Sequence, residues 1–534
     1  MHWINPRRWA SLLALVVLTC SLSLAQAQLF TVTVAGVDNL MDSVKYGMKM
    51  AGKEDMATQI DSLLEAFLQN KGFEGLDTKK PMGAYLNKFP TNHDKPPVVV
   101  FIPISNEEEF IAFLGRLNVN PGKAENGVRS IDLPTGQSVY LSLKNGYAFV
   151  SMDKDELKSA SEPAKAASKL PANALFHLHV GLSEIPESLK DQFLTKMNEE
   201  INKEAAKKDN EPEIEYKARQ ATIRISRQAI ERLVKDAEAI NITASLDKQG
   251  HQFSIESNMQ PKAGSGLHEE IKHMNDSKSI FASLFDNSPG YFVAHGIINQ
   301  SLRSDVDALI DGIVKKAIAD EKSIVKKAIA EKVFQALEPT LKSKNYEFAL
   351  SMRNQGDKEP MTGVAAIQVK DGKKIEELIK GFIVELKEKE RAAIKLDVEK
   401  VNGVNLHVVT VPADDKGAKE MVEAFGEAKI TLAIHNDYII AAIGKNSTEE
   451  VKKFLGGASA SNNPAPVQLQ VNVKPFTRFV KEAPIRSAIE KVFTAPNSDQ
   501  IKMSVTGGDK LNMKFAISTH FLKLAFAVDE AKGQ

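Results

Sequence analysis

The sequence predicts an α+β fold: two tandem copies of an antiparallel-sheet unit with helices packed on one face, plus long amphipathic helices. Three observations carry this. A strand–turn–strand block near residue 140 recurs in the same order near residue 435, asparagine-containing turns separate the paired strands, and the intervening stretches place apolar residues at helical spacing. Hairpins rather than strictly alternating strands and helices argue against a doubly wound sheet.

The repeat is read residue by residue. Asn126-Gly127-Val128 precedes Ser138-Val139-Tyr140-Leu141-Ser142-Leu143 and then Asn145-Gly146-Tyr147-Ala148-Phe149-Val150. Asn402-Gly403-Val404 precedes Ala428-Lys429-Ile430-Thr431-Leu432-Ala433-Ile434 and then Asn436-Asp437-Tyr438-Ile439-Ile440-Ala441. Asn-Gly and Asn-Asp tolerate the positive φ angles of a tight hairpin turn. Tyr147 and Tyr438 fall at equivalent positions, where an aromatic residue is expected to serve packing. Lys248-Gln249-Gly250 and Gly507-Gly508-Asp509 suggest two further hairpins.

Strand-like runs open four segments, at Leu29–Val34, Leu175–Val180, Tyr291–His295 and Val467–Val473. The expected organisation is a signal peptide (1–27), unit A (28–158), unit B (173–260), a connector (261–288), unit A′ (289–455) and unit B′ (466–530). Small, proline-containing stretches at 159–163 and 456–466 read as linkers. The connector is expected to hold a short helix around Ile280, Phe281, Leu284 and Phe285.

Helices follow from spacing. Phe110, Phe113 and Leu114 form one buried stripe and Ile375, Leu378 and Ile379 another, with Ser105 and Glu108 in a capping-box relation. Met56, Ile60, Leu63, Leu64, Phe67 and Leu68 mark a helix over 54–70. Ile-Val-Lys-Lys-Ala-Ile-Ala starts at Ile313 and again at Ile324, a spacing that keeps equivalent side chains on one helix face, and Pro339 fits the end. A helical stretch over 186–238 is interrupted by the charged segment Lys203–Lys217 with Pro212, read as a solvated tip or mobile loop.

Compartment and partner class come from the ends and the charge. Arg7 and Arg8, the apolar run Ala10–Leu24 and Ala25-Gln26-Ala27 have the three parts of a cleavable signal peptide, so the chain is expected to be secreted or periplasmic. Thr19 before Cys20 disfavours lipidation there, and the flanks of Arg7-Arg8 lack the rest of a twin-arginine signal. Cys20 is the single cysteine, so the processed chain is expected to hold neither thiol nor disulfide. No later apolar stretch is long enough for a membrane span. Lys plus Arg equals Asp plus Glu at 69 each, which disfavours nucleic acid as a partner and leaves a protein or cell-envelope partner as the expectation.

Catalytic signatures are largely missing from the sequence. His268 and His273 are five apart, whereas a zinc-protease helix needs four. Gly264-Ser265-Gly266 lacks a preceding strand and a third glycine, and the Ser-x-x-Lys matches at Ser151 and Ser323 lack their companion motifs. One constellation stands as a metal candidate: His177 and His179 alternate onto one side of a strand, and the repeat alignment sets His179 against His295. The competing reading is a polar strand face. No cofactor is expected.

Gly75-Leu76-Asp77-Thr78-Lys79-Lys80-Pro81-Met82-Gly83-Ala84-Tyr85, the Ser105-Asn106-Glu107-Glu108-Glu109-Phe110 helix start and Lys144-Asn145-Gly146-Tyr147 resemble secreted bacterial tandem-repeat proteins, a domain family of unknown function. The resemblance lies mainly over 28–158. It implies export and a repeated α+β fold and carries no catalytic residues. The functional expectation is an exported, non-enzymatic binding or structural protein. The alternatives are a carrier of an apolar or amphiphilic ligand, suggested by Met41, Met48, Met50 and Met56, and a hydrolase with residues scattered in sequence.

Overall fold

A computed structural model describes residues 29–532 except 87–96, 133–137, 159, 161–169, 172, 210, 287, 298–302, 321–323, 344, 354–358, 414–415 and 458–462. The expected signal peptide, its Cys20 and parts of both linkers lie outside the described residues. The fold is mixed α+β, with 19 strands among the described residues. No described helix is long and apolar enough to cross a membrane.

The chain divides into two compact units. One takes the described residues up to Glu200 with Glu231–Leu267 and Ala516–Glu530; the other takes Ile201–Ile230, His268–Phe515 and the residues from Ala531 on.

The first unit contains β1 (Phe30–Val34), β2 (Met82–Leu86), β3 (Val98–Pro103), β4 (Val128–Asp132), β5 (Ser138–Lys144), β6 (Tyr147–Ser151), β7 (Ala174–Gly181), β8 (Ala237–Asp247) and β9 (Gln252–Pro261). They pair antiparallel in the order β4-β5-β6-β3-β2-β1-β7-β8-β9. The β5–β6 turn is the one its residues demand: Asn145 has φ 56° and Gly146 φ 75°. Alternation then sends Tyr85, Val99, Phe101 and Phe149 to one face, against Leu157 and Ala160. Leu141 and Ala148 go to the other face, under Phe110 and Phe113 of helix Glu107–Arg116 and under Leu68. Each fully buried phenylalanine contributes roughly 1.5–3 kcal/mol. Helix Glu107–Arg116 starts one residue later than the capping-box reading places it. Asn106 is its cap, accepting the Glu109 N–H at 3.1 Å, while the Ser105 hydroxyl donates to the Leu76 carbonyl.

In the second unit lie β10 (Gly290–Ile297), β11 (Asn345–Arg353), β12 (Thr362–Gln368), β13 (Ile394–Val401), β14 (Val404–Thr410), β15 (Lys429–Ile434), β16 (Tyr438–Ile443), β17 (Val467–Asn472) and β18 (Gln500–Thr506). Their order is β13-β14-β15-β16-β12-β11-β10-β17-β18, again antiparallel. Its core gathers Val293, Ala349, Ala366, Ala433 and Ile440 from the sheet with Phe281 and Leu284 of the connector and Val451 and Leu455 of helix Ser447–Leu455. The connector forms a 3-10 turn at Ala282–Leu284 and, earlier, a short helix at Gly266–Lys272. Glu347 anchors it, accepting the backbone N–H groups of Ile280 and Phe281.

The interrupted helical stretch resolves into Glu187–Ala205 and Glu213–Asp236. Arg219 fastens the break between them, pairing with Glu211 at 2.7 Å and donating to the carbonyls of Glu204 and Ala206. Its guanidinium holds the Glu211 carboxyl down at about 2. The 11-residue repeat falls on helices Arg303–Asp320 and Ile324–Leu341, and Pro339 lies inside the last turn of the second.

Candidate functional site

His177 and His179 do share a side of β7. Nδ1 of His177 lies 2.9 Å from Thr243 Oγ1, and Nδ1 of His179 lies 2.9 Å from Asn241 Oδ1, each across the β7–β8 pair. Burial, then its neighbour His179, lowers the His177 pKa. His295 belongs to the other unit and is buried there, with Nδ1 2.9 Å from Ser277 Oγ and Nε2 3.4 Å from the Pro464 carbonyl. Tyr147 and Tyr438 are packed: the first ring sits 6.1 Å from Phe101 and 6.0 Å from Phe149, the second 5.4 Å from Phe454 and 6.1 Å from Phe281.

Among the described residues, one triplet of potential metal donors comes within 4.8 Å: Glu376, Asp397 and His407, in the second unit. Asp397 sits in a β-bulge with φ 51°, a strained conformation that places its carboxylate beside the next strand. Lys380 Nζ already bridges the acids, 2.7 Å from Glu376 Oε1 and 2.7 Å from Asp397 Oδ1, and Asn405 donates to the same Glu376 oxygen at 2.9 Å. Burial pushes the Glu376 pKa up, but the bonds from Asn405 and Lys380 outweigh it and the net shift is down. His407 accepts the Asp397 N–H on Nδ1 at 3.2 Å, so its neutral ring carries the proton on Nε2. Nε2 lies 3.2 Å from Glu376 Oε1 yet lacks an aligned hydrogen-bond partner. A metal on Nε2 would require that proton to move against the Asp397 N–H and Lys380 to leave. Chemically this is a filled ion network.

An open cleft with polar groups on an otherwise apolar wall lies in the first unit. Ser43, Tyr46 and Gly47 of helix Val37–Met50, Leu246 and Phe253 of the β8–β9 hairpin, and Ile517–Thr519 with Phe521 and Leu522 line a cleft of about 390 Å³. Its floor belongs to an apolar sheet face. Leu246, Ala244, Ile242 and Ile240 alternate onto one side of β8, opposite Phe253, Ile255 and Met259 on β9 and opposite Phe176, Leu178 and Val180 on β7.

Tyr46, Ser518 and Thr519 bring polar groups to the cleft wall, and two histidines contact them. Tyr46 Oη lies 2.7 Å from His251 Nδ1 and 2.8 Å from Thr519 Oγ1. Burial raises the Tyr46 pKa, so its hydroxyl keeps its proton. The His251 ring stacks on Tyr46 and meets the His520 ring edge-on at 5.2 Å. Backbone geometry sets His251 there. The turn before it is closed by Asp247 accepting the N–H groups of Gln249 and Gly250, where a Cβ on Gly250 would come within 2.3 Å of Asp247. His251 itself takes φ 51°, a region histidine enters more readily than most residues. Ser518 accepts the His520 N–H at 3.3 Å and contacts His520 Nδ1 at 3.1 Å, a cap on helix His520–Lys532. Burial, with the nearby His251 and Lys523, lowers the His520 pKa and keeps that ring neutral at pH 7.

Sequence reasoning marked the Lys248-Gln249-Gly250 turn but not the residues it brings together. Tyr46 and His251 are 205 positions apart, Tyr46 and Thr519 473. No local pattern signals such a meeting. The chain matches no protein-family model, no curated protein and no solved structure.

Proposed function

We propose that this chain is an exported, non-enzymatic binding protein whose first unit takes an amphiphilic molecule. The observation that carries the reading is the cleft of about 390 Å³, apolar on its floor and with the hydroxyls of Tyr46 and Thr519 2.8 Å apart on its wall. Small-molecule sites are typically concave, mostly apolar and oriented by a few polar groups, at volumes of about 300–1,000 Å³. Binding fits these groups better than hydrolysis. A hydrolase needs a nucleophile, a base and oxyanion donors aimed at one point. Here Ser518 caps a helix, and Tyr46 keeps its proton.

The export reading rests on residues 1–27. Common strand order supports a duplication. From β5 to β8 and from β15 to β18 the neighbours run hairpin, third strand, second, first, then two later strands. Tyr147 opens β6 opposite Pro103, the last residue of β3, and Tyr438 opens β16 opposite Gln368, the last of β12. In that plan β10 answers to β1 and β17 to β7, so His295 and His179 hold different places in the repeat.

The test is native mass spectrometry of protein purified without detergent, followed by titration with dodecanol. A bound small molecule, or saturable one-to-one uptake weakened in Leu246→Asp, is the expected result. A clean apo mass together with no saturable uptake overturns the proposal.

A further inference from the structure

Resting on that cleft reading, we infer that Gly47 is the residue that admits the ligand: the amphiphile's alkyl chain lies across the helix backbone at position 47, where a side chain would stand in its way. Glycine is the least favourable helix residue after proline, so its place inside helix Val37–Met50 calls for a reason. The two common reasons are absent there. Gly47 does not have a positive φ, and the left-handed turn after the helix falls to Gly52, with φ 72°. Nor does another atom approach it closely. A Cβ on Gly47 would meet nothing within 4 Å, whereas one on Gly36, just before the same helix, would stand 2.5 Å from the Thr78 carbonyl oxygen. What glycine supplies at position 47 is open space, and that space belongs to the cleft.

The neighbours on the helix fit this role. Ser43, Tyr46 and Gly47 stand at three- and four-residue spacing and so share the face that lines the cleft. The Ser43 hydroxyl donates to the Asn39 carbonyl at 2.6 Å, inside its own helix, and the Tyr46 hydroxyl is held 2.8 Å from Thr519. The gap at Gly47 therefore lies between two side chains already fixed by hydrogen bonds. The bare peptide in that gap is also satisfied, since the Gly47 carbonyl accepts the Ala51 N–H at 2.9 Å. An alkyl chain can cover a bonded carbonyl without leaving it unpaired. Leu246, Phe253 and Leu522 supply the apolar lining around that chain.

Dodecanol titrated by calorimetry into the whole chain and into Gly47→Ala, Gly47→Leu and Gly381→Leu tests the inference apart from the reading it rests on. Gly381 is the control: it lies inside helix Gly372–Glu385 of the other unit, and a Cβ there also meets nothing within 4 Å. Each substitution puts a better helix former into open space, so each is expected to raise the melting temperature, by about 2–4 °C. Dodecanol affinity is expected to fall about tenfold or more in Gly47→Leu, whose side chain occupies the cleft, and about two- to threefold in Gly47→Ala. Gly381→Leu should bind as the wild-type chain does. A gain in stability joined to a loss of affinity is what space kept for a ligand produces. A stabilised Gly47→Leu chain with wild-type affinity overturns the inference and leaves the cleft reading standing. Gly47→Leu that melts lower or does not fold contradicts the open space at position 47 and overturns it as well, as do equal losses of affinity in Gly47→Leu and Gly381→Leu. A wild-type chain that binds no dodecanol overturns both the inference and the cleft reading.

Discussion

The hydroxyl of Tyr46 stands 2.7 Å from Nδ1 of His251, closing a contact between helix Val37–Met50 and the end of the β8–β9 turn. Thr519, itself almost fully buried, shares that hydroxyl. Tyr46→Phe removes the shared oxygen and leaves a buried threonine hydroxyl without it. The expected loss of stability is about 1–2 kcal/mol, read as a lower urea midpoint at unchanged slope. An unchanged midpoint would show that the contact does not hold the cleft together.

Glycine at position 75 is fixed by close approach. Gly75 has φ 79°, and a Cβ there would come 2.1 Å from the Phe110 backbone nitrogen. Gly75→Ala therefore combines left-handed strain with a backbone clash under helix Glu107–Arg116, and the expected cost is more than about 3 kcal/mol. Gly72→Ala is the comparison. It also has positive φ, 60°, but open space around it, so strain alone of roughly 1 kcal/mol is expected. Equal losses in the two variants would contradict the packing account.

Lys380 holds the Glu376–Asp397 pair as an internal cation. Lys380→Met leaves the two carboxylates facing one another beside the buried His407, and the expected cost is roughly 1–2 kcal/mol, limited because Asp397 is half exposed. Zinc or manganese ions added to the wild-type chain should leave its melting temperature unchanged. A rise with metal that disappears in His407→Gln would make this a metal centre.

Three histidines set an acid limit. His407, His177 and His520 each have a pKa lowered from 6.5, with burial the largest cause. The unfolded chain takes up their protons first as the pH falls, so the stability they contribute is complete above about 6.5 and declines below it. Melting temperature is expected to hold level from pH 8 to 7 and to fall between pH 6.5 and 5.5, less steeply in His407→Gln. A rise over the lower range would reverse the sign of the account.

Local chemistry was legible in the sequence and distant meetings were not. Asn145-Gly146 announces its turn because the pair tolerates the positive φ angles found there, and alternation put His177 and His179 on one side of β7. The helix break near Pro212 was also legible, but not its fastening by Arg219, which depends on carbonyls from the preceding helix. Ser105 and Asn106 both suit an N-cap, and only the path of the backbone selects Asn106. The Lys380 network and the Tyr46 cluster draw on separate strands and helices, so neither leaves a spacing to read.

A fluorescent reporter inside the cleft gives the most direct test of amphiphile binding in the first unit. The chain has two tryptophans, Trp3 and Trp9, both in the expected signal peptide, so a tryptophan placed in the processed chain reports alone. Leu522 lines the cleft and is 44% exposed, which leaves room for the larger ring. In Leu522→Trp, the account predicts a saturable blue shift on titration with dodecanoate below its micellar concentration, and loss of that shift when Leu246→Asp is added. Emission from the introduced indole that stays unmoved while calorimetry records dodecanoate binding would place the ligand elsewhere and contradict the account.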